Sequence, residues 1–187
     1  MEAFLISTGV VALAEIGDKT QLLAFMLAAR FRRPVPIVWG ILIATLANHA
    51  LAGALGLWIT RVVDPGWLRW ILGLSFFAMA AWALIPDKAD ESTPVGEGRT
   101  AWSVFTATVV AFFLVEMGDK TQVATVALAA HYAEAVAVIL GTTVGMLIAN
   151  VPAVIVGQKL AQRIPLRFVR MVAAGIFAGL GVAAFWT

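Results

Sequence analysis

Residues 14–21 read AEIGDKTQ and residues 115–122 read VEMGDKTQ, each in the middle of a long apolar stretch. An ionised side chain at the centre of a bilayer costs about 2.5–3.5 kcal/mol. A glutamate, an aspartate and a lysine in such a place need compensation, and here the same set is written twice.

The surrounding composition supports a lipid setting. Of 187 residues, 61% are hydrophobic and 13% are charged, with a mean hydropathy of +0.93. A soluble domain carries about 25% charged residues, and a water-soluble fold of this size has no room to hide so much apolar surface, so part of the solvent is the bilayer. The net charge of +2 is small and most basic residues lie in the loops between apolar runs, which argues against nucleic acid as a partner. The absence of cysteine excludes thiolate metal sites, disulfides and thiol catalysis. The first apolar run begins Met1-Glu2, has no basic leader and contains one copy of the motif, so it reads as a retained span and not a signal peptide.

Six apolar segments emerge, at about 3–29, 35–60, 67–86, 101–130, 134–158 and 168–186. Arg30, Arg32, Arg33, Pro34 and Pro36 close the first, Asp64-Pro65-Gly66 closes the second, and the polar stretch DKADESTPVGEGRT at 87–100 reads as a linker. Backbone facing lipid must satisfy its own hydrogen bonds, and these segments are too long for barrel strands, so each is expected to be helical. Six spans put Arg30, Arg32, Arg33, Lys88, Arg99, Lys159, Arg163, Arg167 and Arg170 on one side and Arg61 and Arg69 on the other. The basic side is cytoplasmic by the positive-inside rule. The linker is then cytoplasmic and both termini are extracytoplasmic.

The halves align without gaps at an offset of 101 residues, from Gly17 to Gly118. Phe4 meets Phe105, Leu27-Ala28-Ala29 meets Leu128-Ala129-Ala130, Gly40 meets Gly141, Gly56 meets Gly157 and Phe76 meets Phe177. Three spans per half is an odd number, so the second half enters the membrane from the opposite face. The expected fold is an all-α integral membrane protein of six transmembrane helices. It is built as two inverted three-helix repeats, 1–86 and 101–187, around the linker at 87–100.

A pseudo-twofold axis in the membrane plane brings the two motifs together at mid-depth. On a continuous helix, Glu15 and Asp18 share a face that Gln21 continues, and Glu116, Asp119 and Gln122 repeat it. Four carboxylates then converge. With Lys19 and Lys120 the cluster sums to −2, a charge that one divalent cation or two protons would neutralise, so metal and protons compete for the same oxygens. Gly17 and Gly118 permit either close helix approach or a local unwinding that exposes carbonyl groups, and Thr20 and Thr121 add hydroxyls. The competing interpretation makes these residues structural ion pairs that glue helices. Two symmetric copies with every polar position intact weigh against it. Oxygen ligands without thiolate favour hard cations such as Ca²⁺, Mn²⁺ or Mg²⁺ over copper or zinc.

At EIGDKT and EMGDKT the chain resembles the cation–proton exchanger family often called the Gdt family, whose signature is a paired E-x-G-D-K/R-T/S, one per three-helix half. The resemblance covers nearly the whole chain, and neither motif departs from the pattern. It implies export of Mn²⁺ or Ca²⁺ from the cytoplasm in exchange for protons, and compact bacterial members look like manganese exporters. It further implies that Glu15, Asp18, Glu116 and Asp119 form the cation site, with Lys19, Thr20, Lys120 and Thr121 beside it. No prosthetic group is expected, the bound ion being cargo. The lack of an amino-terminal targeting extension points to a bacterial plasma membrane.

Other residues are read with their plainer alternatives. Asn48 and His49 lie mid-span, and the offset pairs His49 with Asn150; all three suit either a supporting or direct role at the site or ordinary interhelical hydrogen bonding. His131, beside Tyr132 and Glu134 at a span end, suits an interfacial role. Pro152 is expected to kink its helix. Gly141-x-x-x-Gly145 and Gly175-x-x-x-Gly179 are packing faces that serve within one chain or in a homo-oligomer. Trp58, Trp67, Trp70, Trp102 and Trp186 form an aromatic belt. Two rival functions remain open: a small amino-acid exporter, which needs partners for both an ammonium and a carboxylate, and an intramembrane hydrolase using two acidic groups.

Overall fold

The computed structural model describes residues 1–85, 100–156 and 166–186. The linker up to residue 99 and the basic residues Lys88, Arg99, Lys159 and Arg163 lie outside them. The described residues form eight helices: α1 (Glu2–Glu15), α2 (Lys19–Phe31), α3 (Pro34–Val62), α4 (Pro65–Ala83), α5 (Ala101–Glu116), α6 (Lys120–Tyr132), α7 (Ala135–Val156) and α8 (Leu166–Trp186). Turn chemistry sets several ends. Pro34 and Pro65 start α3 and α4, where a missing N–H costs nothing, and Asp64 caps α4 through Gly66 N at 2.8 Å. Thr100 and Ser103 form a reciprocal capping box at the start of α5.

α3, α4, α7 and residues Arg167–Trp186 of α8 are each long and apolar enough to cross a bilayer, and α5 with α6 does so as a pair bent by 71°. The expectation of unbroken helices over 3–29 and 101–130 is therefore corrected. Both segments break at the motif, after Glu15 and after Glu116. Pro152 sits within α7, which continues through it.

The outside of the molecule is apolar and part of its inside is polar, the reverse of a water-soluble fold. Leu51, Leu74 and Trp102 are exposed, as are all five belt tryptophans, whereas Glu15, Thr45, Asn48, His49, Glu116 and Asn150 are wholly buried. The buried aromatic residues Phe76, Phe112 and Phe177 fill the core between them.

Backbone geometry recurs at the 101-residue offset. Arg32 and Ala133 end α2 and α6 in the same left-handed conformation, φ 52° and 53°, each donating its N–H to the carbonyl four residues back. The helices pack across the halves: α1 lies along α7, α5 lies along α3, and α4 lies along α8. Gly40 and Gly141 make equivalent close approaches. A Cβ on Gly40 would stand 2.6 Å from Thr108 Cβ, and one on Gly141 would stand 2.5 Å from the Phe4 carbonyl oxygen and 3.1 Å from Ser7 Cβ.

The two small-residue faces thus part company. At Gly145 a Cβ would meet the Thr8 carbonyl oxygen at 2.6 Å and Ala12 N at 2.9 Å, both backbone atoms that do not yield cheaply. A Cβ on Gly175 or Gly179 would meet nothing within 4 Å among the described residues. Gly145→Ala is expected to lower stability by about 1–3 kcal/mol through overpacking. Gly175→Ala is expected to be neutral or to stabilise by up to about 1 kcal/mol through helix propensity. Thermal unfolding of the two purified variants in one detergent compares them directly; equal midpoints would contradict the described packing of α1 on α7.

Candidate cation site

Each motif is a helix stop followed at once by a helix start. Ile16 and Met117 are extended, Gly17 and Gly118 take φ values of 80° and 76°, and Asp18 and Asp119 are extended N-caps of α2 and α6. A side chain at that positive φ costs about 1–2 kcal/mol, which is why glycine stands there. Three residues after each aspartate a glutamine reaches back. Gln21 Oε1 accepts from Gly17 N at 3.0 Å, and Gln122 Oε1 accepts from Gly118 N at 2.7 Å. Of the two roles weighed for the glycines, local unwinding is the one found. The shared helical face for Glu15 and Asp18 is corrected with it, since no single helix carries both. They converge because one ends a half-helix and the other begins the next, an arrangement that also frees backbone carbonyl groups at the break.

The aspartate carboxylates do not cap their own helices. They reach across to the other half. Lys19 Nζ lies 3.0 Å from Asp119 Oδ1, and Lys120 Nζ lies 2.5 Å from Asp18 Oδ1. The lysines do offset carboxylate charge, but each serves the motif of the opposite half. Buried charges persist only with such partners.

Glu15, Asp18 and Asp119 are buried, and each offers an oxygen within 4.8 Å of the others. Thr20 Oγ1 donates to Glu15 Oε2, while Glu15 Oε1 and Asp119 Oδ2 have no hydrogen-bond partner among the described residues. Three carboxylates from two chain segments, with acceptor capacity to spare, form a cage of the type that holds a hard divalent cation.

Glu116 is engaged differently. His49 Nε2 lies 2.9 Å from its Oε1, and Oε2 accepts from Thr45 Oγ1 at 3.3 Å and Asn48 Nδ2 at 3.4 Å. Three of the four expected carboxylates therefore gather, and the fourth is tied to α3. Asn48 also donates to the Phe113 carbonyl at 3.1 Å and accepts from Gln122 Nε2 at 3.4 Å. Gln21 Nε2 donates to the Ala149 carbonyl at 2.9 Å. Asn150 Nδ2 donates to the Met146 carbonyl at 3.1 Å and contacts Met146 Sδ at 2.9 Å. Thr121 is buried, and its hydroxyl has no hydrogen-bond partner among the described residues. His131 packs edge-on against Tyr132 and Phe76 at the far end of α6.

Two features escape a reading by composition. Asp18-x-x-Gln21 and Asp119-x-x-Gln122 are helix-start signals directly after a glycine, and recognising them places the breaks. Thr45 joins Asn48 and His49 at helical spacing, so the three face one side of α3.

A family model described as "Divalent cation/proton antiporter GDT1" matches residues 3–91 and 104–187. The chain belongs to the GDT1 family. GDT1 proteins are ion antiporters and not enzymes, which removes the hydrolase and amino-acid exporter readings. The chain is 50% identical over 184 residues to a Vibrio cholerae protein named "Putative manganese exporter", covering 98% of this chain and 90% of that one. It is 27% identical to "GDT1-like protein sll0615" of Synechocystis, covering 100% and 98% of the two chains. It is 26% identical to "GDT1-like protein 3" of Arabidopsis thaliana, covering 99% of this chain and 71% of the relative. No solved structure matches the chain.

Proposed function

We propose that this GDT1 protein exports Mn²⁺, with Ca²⁺ as the alternative cargo, from the bacterial cytoplasm in exchange for protons. The carboxylates of Glu15, Asp18, Asp119 and, in another state of the cycle, Glu116 hold the ion. The observation that carries this reading is the reciprocal exchange of ion pairs, Lys19 to Asp119 and Lys120 to Asp18, around oxygens contributed by both halves. An ion bound there touches both halves, so its arrival and departure bias how they sit against each other.

Six spans in two inverted three-helix repeats fit this mechanism. The matching breaks, caps and close approaches at the 101-residue offset support the repeat, and the α1–α2 pair, broken like α5–α6, supplies the sixth crossing. The inner membrane as location is supported by the identity with the Vibrio protein, and the cluster of Arg30, Arg32 and Arg33 at the end of α2 and the turn into α3 supports placing that turn in the cytoplasm. The linker is then cytoplasmic and the termini extracytoplasmic.

Protons and a divalent cation are alternative neutralisers of the same carboxylates, so acid on the cation side should weaken apparent cation affinity and an opposed pH gradient should drive uptake. Purified protein in liposomes, assayed for Mn²⁺ entry under imposed gradients, is expected to follow the sign of the gradient. Mn²⁺ flux indifferent to a gradient in either direction would overturn the exchange mechanism.

A further inference from the structure

The two halves differ at the positions that face their glutamates. α5 and α3 run in one register: Gly40 approaches Phe105 and Thr108, Asn48 bonds to the Phe113 carbonyl, and Thr45 and His49 reach Glu116. α1 and α7 repeat that register, with Gly141 against Phe4 and Ser7, and Gly145 against Thr8, Val11 and Ala12. Carried one turn further, that register brings residues 146–150 toward the end of α1, where Glu15 stands, and Gln21, just past the break, donates to the Ala149 carbonyl. At the 101-residue offset, Thr45, Asn48 and His49 become Met146, Ala149 and Asn150. Glu116 therefore meets a hydroxyl, an amide and an imidazole, whereas the equivalent positions on α7 carry a thioether, a methyl and an amide.

Acceptors are left over on this side. Glu15 Oε1 and Asn150 Oδ1 have no hydrogen-bond partner among the described residues, and both side chains are wholly buried. Buried acceptors in that state call for a partner. Met146 is also wholly buried, with its sulfur against the Asn150 amide.

We propose that Met146 Sδ and Asn150 Oδ1 are ligands of the transported cation, completing the Glu15 side of the cage, and that the thioether sets a preference for Mn²⁺ over Ca²⁺. This rests on the cation site argued above and adds its selectivity. Ca²⁺ takes six to eight oxygen ligands; a sulfur in place of an oxygen leaves it short. A first-row transition ion accepts a polarisable donor, and softer ions accept it more readily still. Cd²⁺ is therefore a useful probe.

The test is equilibrium binding of Mn²⁺, Ca²⁺ and Cd²⁺ to the purified full chain in detergent. Met146→Leu keeps the volume and removes the sulfur. Met146→Thr installs the residue that the other half carries at position 45. Both are expected to weaken Mn²⁺ binding roughly tenfold, and Cd²⁺ binding more, because a neutral thioether is a weaker donor to Mn²⁺ than a carboxylate and a stronger one to a soft ion. Ca²⁺ affinity should stay the same or, with threonine, improve, and wild-type Ca²⁺ binding also reports that the variant is folded. Asn150→Leu should weaken all three ions. The inference is overturned if both Met146 variants keep the wild-type Mn²⁺ to Ca²⁺ ratio while Glu15→Gln abolishes binding of both ions. Loss of Ca²⁺ together with Mn²⁺ in both Met146 variants overturns it as well. If Glu15→Gln itself binds these ions like wild type, the cation site as a whole is wrong.

Discussion

Glu15→Gln is expected to reduce cation-driven proton exchange in proteoliposomes by roughly 100-fold or more. The substitution preserves size and removes one charge from a side chain with no exposure to solvent. Partners that only support a metal ligand are worth about 10–100-fold in affinity, so a direct ligand sets a larger loss. Glu116→Gln should behave otherwise. Its oxygens are already engaged by His49, Thr45 and Asn48, and it lies outside the group formed by Glu15, Asp18 and Asp119. Equilibrium Mn²⁺ binding should therefore fall far less in Glu116→Gln than in Glu15→Gln, even where exchange is impaired in both. A cage with four equal carboxylates would make the two variants indistinguishable. Measuring binding and flux on the same preparations separates these outcomes, and wild-type flux in Glu15→Gln would remove the assignment altogether.

Lys120→Met is expected to destabilise the cation-free protein by about 3–5 kcal/mol, the cost of stranding one partner of a buried ion pair. The Lys120 side chain is 8% exposed and its partner Asp18 is 0% exposed, so water replaces the lost ammonium poorly. Lys19→Met should cost less, because the Lys19 side chain is 26% exposed. Divalent cation should reverse the larger defect. A cation that binds only the folded form adds about 4 kcal/mol of stability at 1,000 times its Kd, which matches the loss. The expected result is a melting temperature that depends more steeply on Mn²⁺ in Lys120→Met than in wild type. If the variant melts like wild type in chelator, the lysine does not hold the site together.

Much of this architecture is legible in the chain. The apolar segments, the 101-residue repeat and the paired acidic motifs follow from residue type and spacing, because lipid permits few backbone solutions and charges in it need a reason. The breaks were less visible. EIGDKTQ sits inside an apolar run long enough to span, and hydropathy averages over it. Only the glycine followed by Asp-x-x-Gln marks a stop and a restart, and that local signal competes with twenty flanking residues that favour helix.

Which groups meet was beyond the sequence. Spacing on one helix joins Glu15 to Asp18, whereas folding joins Asp18 to Lys120, Asp119 to Lys19 and Glu116 to His49. The sequence by itself determined the chemistry available, in duplicate: carboxylates, ammonium groups, and glycines able to take φ near 80°. Tertiary structure alone decided the partners, because the first helix of each half packs on the second span of the other. That exchange seats His49 against one glutamate and puts Met146 and Asn150 at the equivalent positions of α7. A near-symmetric sequence thereby yields an asymmetric site, since the side chains contributed by α3 and α7 are not the same.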